Sequence, residues 1–198
     1  MDASKLQLKL FATADSAKSA HAEAFVPVFH RWIKEHLLPE LLIDVANYVH
    51  VPDGPSVALI GHASDYFLDE GGGRLGLIHS RKRAGVEPAE RLADLARRTF
   101  HAATLLEAAE PAGSGPLRFA PGELVLRVND RLAAPASDAT FAAVRPELER
   151  FAASLYGERS FELTRVGGPK DLFAVRILAT SGTPTLASLL SRAGGPPT

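Results

Sequence analysis

The sequence predicts an α+β fold, a mixed or antiparallel sheet with helices packed on it. Three observations carry this reading. Some short segments alternate apolar and polar residues with period two, while longer ones carry apolar stripes of helical period. Gly/Pro-rich turns separate them. Strands also cluster into a meander instead of alternating one by one with helices, which points away from a parallel α/β sheet.

Residues 5–11 set Leu6, Leu8 and Leu10 against Gln7 and Lys9, as a half-buried strand does. Residues 22–37 read as a helix in which Phe25, Val28, Phe29, Trp32 and Ile33 share one face and Arg31 and Lys34 lie away from it. Pro27 suits its first turn. His36 is expected near the end of that helix, on the apolar face, where the dipole favours an imidazolium. Residues 41–49, 57–68 and 75–80 read as a three-strand meander. Its turns are residues 50–56, with Pro52, Asp53 and Gly54, and the Gly-rich stretch 69–74.

A long helix is expected over 88–109. Leu92, Leu95, Ala96, Thr99, Phe100, Ala103 and Leu106 form its buried stripe, and Glu90, Asp94, Arg97 and His101 lie opposite. Residues 111–116 (PAGSGP) are the most linker-like stretch of the chain. Beyond them come a strand at 123–128 and a helix capped by Ser137 that runs to 156 past Pro146. Strands at 160–166 and 172–179 follow, and then a last helix with Thr183 as N-cap, Pro184 at its first position and Gly194 beyond its end. Residues 1–112 and 113–198 thus read as two α+β halves of one compact domain. Both follow a strand-helix-strand-strand-helix order, which fits either an internal duplication or the chance recurrence of a common arrangement.

Composition excludes several classes. The 198 residues contain no cysteine, so disulfides, thiolate nucleophiles and iron–sulfur clusters are absent. A formal charge of −1 gives no global attraction to nucleic acid or anionic membrane. No apolar run of about 18 residues spans a bilayer, and a cytoplasmic location is expected. Sixteen arginines against six lysines hint at a bacterial source.

Charge is nonetheless segregated. Residues 41–73 hold Asp44, Asp53, Asp65, Asp69 and Glu70 with no Lys or Arg, and Arg74, Arg81, Lys82 and Arg83 follow at once. Cross-strand pairing, such as Asp69 with Arg74, is the simplest account. A second account is an anion site at Ser80, Arg81, Lys82 and Arg83, ahead of a helix N-terminus. Gly71, Gly73 and Gly76 satisfy G-x-G-x-x-G, but a strand follows where a dinucleotide fingerprint needs a helix, so the stretch reads as a hairpin turn.

His50/Asp53 and His62/Asp65 are both H-x-x-D pairs, a spacing that matches no established metal site, and neither a metal nor a cofactor is expected. Pairing Leu68 with Leu75 would place Ser64 opposite His79 and His62 opposite Arg81, with Asp44 near His62. Those residues, His62, Asp44, Ser64 and His79, are the candidate acid/base set.

The element order over 22–109, helix, three-strand meander, helix, resembles the double-stranded RNA-binding domain. That family carries a lysine cluster at the start of its second helix. Here Arg81, Lys82 and Arg83 precede the helix, and Glu87, Glu90 and Asp94 stand where phosphates would lie.

No motif names a function. The leading expectation is a binding or assembly module that self-associates or takes a protein partner, with a small anionic ligand. The rival is an enzyme of unfamiliar type built on the His/Asp/Arg cluster, and the resemblance adds RNA binding as a third.

Overall fold

The computed structural model describes residues 4–51, 55–83, 85–182 and 184–197. Eight strands form one antiparallel sheet in the order β2-β3-β4-β5-β1-β6-β8-β7. They are β1 (Leu6–Ala12), β2 (Leu42–Asn47), β3 (Pro55–Gly61), β4 (Ser64–Asp69), β5 (Gly76–Arg81), β6 (Phe119–Val128), β7 (Phe161–Val166) and β8 (Phe173–Ala179). Five α-helices accompany them: α1 (Ala14–Ser19), α2 (Val26–Glu35), α3 (Arg91–Glu107), α4 (Asp138–Tyr156) and α5 (Leu186–Arg192). None is long and apolar enough to cross a membrane.

β1 joins the two halves, pairing with β5 on one side (Leu8 opposite His79) and with β6 on the other (Leu8 opposite Leu126). Its alternation divides the sheet into two unlike faces. Leu6, Leu8 and Leu10 enter the main core with Leu77, Leu126, Val175 and the buried side chains of α2 to α5. The opposite face has only a small cluster of Phe11, Val125 and Ala174 with Val166 packed on it, to which no helical residue belongs. That second face is called the bare face below.

Several elements differ from expectation. Residues 57–68 are not one strand: the chain turns at His62 and Ala63, so β3 and β4 are separate and the meander has four strands. The resemblance to the RNA-binding domain therefore does not extend to the sheet, which has four meander strands and is continued by β1 and β6. Leu68 lies opposite Leu77, not Leu75. α1, unforeseen, starts at Thr13, whose Oγ1 accepts from the Ser16 amide. α2 is shorter than expected and is preceded by a 3-10 turn over Ala22–Phe25. It closes at an exposed His36 in left-handed geometry (φ 52°), away from the apolar face.

Residues 111–116 are tied down despite their linker-like composition. Ser16 Oγ donates to the Pro116 carbonyl, the Gly115 amide to Ser19 O, and Ser114 Oγ accepts from the His21 amide. Pro146 sits on the exposed side of an uninterrupted α4, which Ser137 caps as expected. The cap of α5 is Thr185 in a capping box with Ser188; Thr183 lies outside the described residues, as do Pro52, Asp53 and Gly54 of the first turn. Internal duplication is not shown: one half contributes the order β2-β3-β4-β5-β1 and the other β6-β8-β7.

The bare face is crossed by Lys9, 1% exposed, whose Nζ donates to Asp69 Oδ2 at 2.5 Å. To reach Asp69, Lys9 passes over Gly76. A Cβ at Gly76 would stand 2.6 Å from the Leu10 carbonyl oxygen and 3.0 Å from Lys9 Cε. The backbone oxygen cannot yield, because it belongs to the β1 ladder. Gly76→Ala is therefore expected to lower the unfolding free energy by roughly 1–3 kcal/mol, the usual cost of overpacking, as read from urea denaturation.

Candidate functional site

The residues singled out in the sequence fall in different places. His79 and Arg81 point from β5 into the helix-covered side, beside Ser64 and Tyr66 of β4, because Ser64 pairs with Arg81 and Tyr66 with His79. Ser80 and Lys82 alternate to the bare face, where Ser80 Oγ accepts from Gln7 Nε2 at 3.0 Å and Lys82 Nζ donates to Asp65 Oδ1 at 2.7 Å and Gly61 O at 2.6 Å. Arg83 is exposed just beyond β5. His62 is exposed in the β3–β4 turn. Asp44 lies on the outermost strand, its Oδ1 accepting from the Val45 amide at 2.8 Å. β2 and β5 are three strand spacings apart, about 14 Å, so Asp44 and His79 do not meet. The predicted Asp69–Arg74 pair is also replaced: Asp69 takes Lys9, and Arg74 forms two 2.9 Å hydrogen bonds with Glu123.

What the fold does bring together is a buried ionic cluster between β4, β5 and the first turns of α3. Asp94, expected on the exposed side of the helix, is 5% exposed. It receives Arg81 Nη2 at 2.5 Å, Arg97 Nη2 at 2.8 Å and Arg98 Nε at 3.0 Å. Glu40, from the α2–β2 connection, accepts the Tyr66 hydroxyl at 2.5 Å. Three guanidinium groups thus face two carboxylates. Burial alone would raise the Asp94 pKa, but the Arg97 hydrogen bond and the charges of Arg98 and Arg81 outweigh it and hold the carboxyl below its ordinary value. Burial, followed by the neighbouring Glu40 charge, pushes the Tyr66 phenol well up.

His79 is fully buried and stacks flat on Tyr66, centroids 4.6 Å apart. Its Nδ1 lies 3.3 Å from the Leu95 carbonyl oxygen and 3.4 Å from Thr99 Oγ1. Thr99 spends its own proton on Leu95 O at 2.7 Å, which assigns the His79 proton to Nδ1 and leaves Nε2 an acceptor. Burial is the main cause that lowers its pKa to about 3; the Leu95 carbonyl opposes it, and the charges of Arg81 and Arg98 add smaller downward effects. The ring is therefore neutral near pH 7.

This arrangement favours structure over acid/base turnover. Asp94 is held by three arginines, and burial keeps the histidine neutral near pH 7. The signal for part of it was present in the sequence, since Asp94, Arg97 and Arg98 have helical i, i+3 and i+4 spacing; Glu40 and Tyr66 gave none. Among the described residues no group of three or more His, Asp or Glu is placed to hold a metal ion. The second feature of functional interest is the outer edge of β2, which no strand covers among the described residues. Compared with known proteins, the chain matches no family model and no curated protein.

Two outcomes follow for the cluster. Asp94→Asn leaves Arg81 buried without its counter-charge and should cost about 3 kcal/mol or more, measured by denaturant unfolding. Because His79 has a lower pKa folded than unfolded, its contribution to stability is complete above about pH 6.5 and is lost as pH falls toward about 3. Each unit in that window should remove up to about 1.4 kcal/mol. His79→Phe, which keeps a ring against Tyr66, should flatten that part of the stability–pH curve.

Proposed function

We propose that the chain is an assembly module that self-associates through the free edge of β2. The observation that supports this is the distribution of exposed apolar side chains. Of the six large exposed hydrophobic residues among the described ones, Leu41, Ile43, Tyr48, Val49 and Val51 all belong to β2 or its flanks; the sixth, Leu132, stands alone. Leu41 is 66% and Ile43 56% exposed, and Ile43 is the extra residue of a bulge between Leu42 and Asp44.

Edge strands normally avoid pairing with other chains by means of lysines, prolines or inward-pointing charges. Residues 41–51 contain no Lys, Arg or Pro, and Asp44 is their only carboxylate. The other edge, β7, shows the contrast: it carries Glu162 and Arg165, and Arg165 is engaged with Asp138 at 2.7 Å. An antiparallel strand can pair with its own copy about a two-fold axis, satisfying the open backbone groups of both and covering the apolar residues. The cluster beneath α3 then serves to hold the sheet that presents this edge.

Light scattering on the eluting protein should give twice the 21.1 kDa chain mass. Ile43→Lys should give a monomer with an unchanged circular dichroism spectrum. A wild-type protein that is monomeric at every concentration up to its solubility limit would overturn the proposal, as would an Ile43→Lys variant that still dimerises.

A further inference from the structure

Among the described residues, four cations on the bare face have a carboxylate partner. Lys9 pairs with Asp69, Lys82 with Asp65, and Arg74 and Arg176 share Glu123. Arg127, on the same face, is half-buried, and its side chain makes no hydrogen bond or ion pair among the described residues. Registers across five strands place it in one row: Ser80, Gln7, Arg127, Ala174, Val166. The small Ala174 between Arg127 and Val166 leaves a notch. The β7–β8 turn borders it, and the depression has a volume of about 320 Å³ lined by Arg127, Val166, Gly167, Asp171, Leu172 and Ala174.

Asp171 lines the same depression yet forms no ion pair with Arg127. Its Oδ2 accepts from the Gly168 amide at 2.6 Å, leaving Oδ1 for another partner. A cation and an anion thus border one small depression, unpaired with each other, with apolar side chains between them. We infer that this notch binds a small zwitterion of the aliphatic α-amino-acid type, its carboxylate on Arg127, its ammonium on Asp171, and its side chain against Val166, Leu172 and Ala174.

The chemistry favours that class over its neighbours. A planar guanidinium matches the two oxygens of a carboxylate. The Asp171 charge opposes a phosphate or another polyanion and calls for a positive group. The volume lies at the low end for small-molecule sites, which fits a compact ligand and excludes a nucleotide. Arg127 also lies near enough to Lys9 for the two cations to repel, so a bound carboxylate relieves that repulsion. The site lies on β6 to β8, away from the β2 edge, and does not depend on self-association.

Calorimetric titration of the full chain with L-alanine, L-valine and L-leucine tests it, with isobutyrate (no amine) and isobutylamine (no carboxylate) as matched probes. At least one amino acid should bind, and isobutyrate should bind about tenfold or more weakly, the difference one charge-assisted contact makes. Arg127→Gln should abolish binding, and Asp171→Asn should reduce the amino acid to the level of isobutyrate. Ala174→Leu, which fills the notch and leaves both charges in place, should also block binding while the protein still melts cooperatively; it keeps the test decisive if Arg127→Gln fails to fold. Absence of binding by all three amino acids, binding unchanged in Arg127→Gln or Ala174→Leu, or tighter binding of inorganic phosphate than of any amino acid would overturn the assignment.

Discussion

The structure depends on a single strand being paired on both sides. β1 is seven residues long, and without it the meander β2 to β5 and the trio β6, β8, β7 would be two separate sheets, each with one more open edge. Its requirements are strict. Leu6, Leu8 and Leu10 must face the helices, which directs Gln7, Lys9 and Phe11 to the bare face. Lys9 cannot reach water there and takes Asp69 instead. Burial lowers its pKa while the Asp69 hydrogen bond acts to keep it charged. Phe11 is covered by the Arg74 guanidinium, 3.7 Å from the ring centre, and Arg74 extends to Glu123 on β6. One alternation in seven residues thus organises both the core and the charged pairs that cross the seam.

The ionic cluster under α3 has a related role on the other side of the sheet. A buried ion pair seldom adds net stability over well-packed apolar groups, but losing one member is costly because the other is left without a partner. Arg81 on β5 and Asp94 on α3 fix how the helix sits along the strand. Arg97 and Arg98 reinforce Asp94 from the helix itself, and Tyr66 with Glu40 ties in the connection leading to β2. The edge strand is therefore positioned by polar contacts as well as by its packing on α2.

Much of the fold was legible in the sequence, because apolar period reports which face of an element is buried. The β1 alternation, the α3 stripe and the Ser137 cap all appear where the pattern put them. The division of residues 57–68 was hidden because His62 and Ala63 are not turn-forming residues. Only Gly61 marks the place, where a Cβ would meet the Ser64 carbonyl oxygen at 2.5 Å. The β4–β5 register was off by two, and a slip of two residues returns every side chain to the same face, so hydrophobicity cannot detect it. That slip is why Ser64 meets Arg81 in place of His79. Asp94 was misplaced for another reason: a helical wheel takes a carboxylate as exposed and has no knowledge of an arginine waiting on a distant strand.

The placement of β1 also bears on how the chain folds. Its two ladders join residues near the N-terminus to β5 and to β6, more than 100 residues away in the second case, while the β2–β5 hairpins close between near neighbours. Long loops must lose their freedom before such distant pairing gives anything back, and proteins built on it fold slowly. The meander can form while β1 is still searching for its slot. During that interval β5 is an open edge like β2, so a newly made chain passes through a stage in which it can zip onto a neighbour at the wrong strand. Quick capture of β1 separates orderly folding from tangling with another chain.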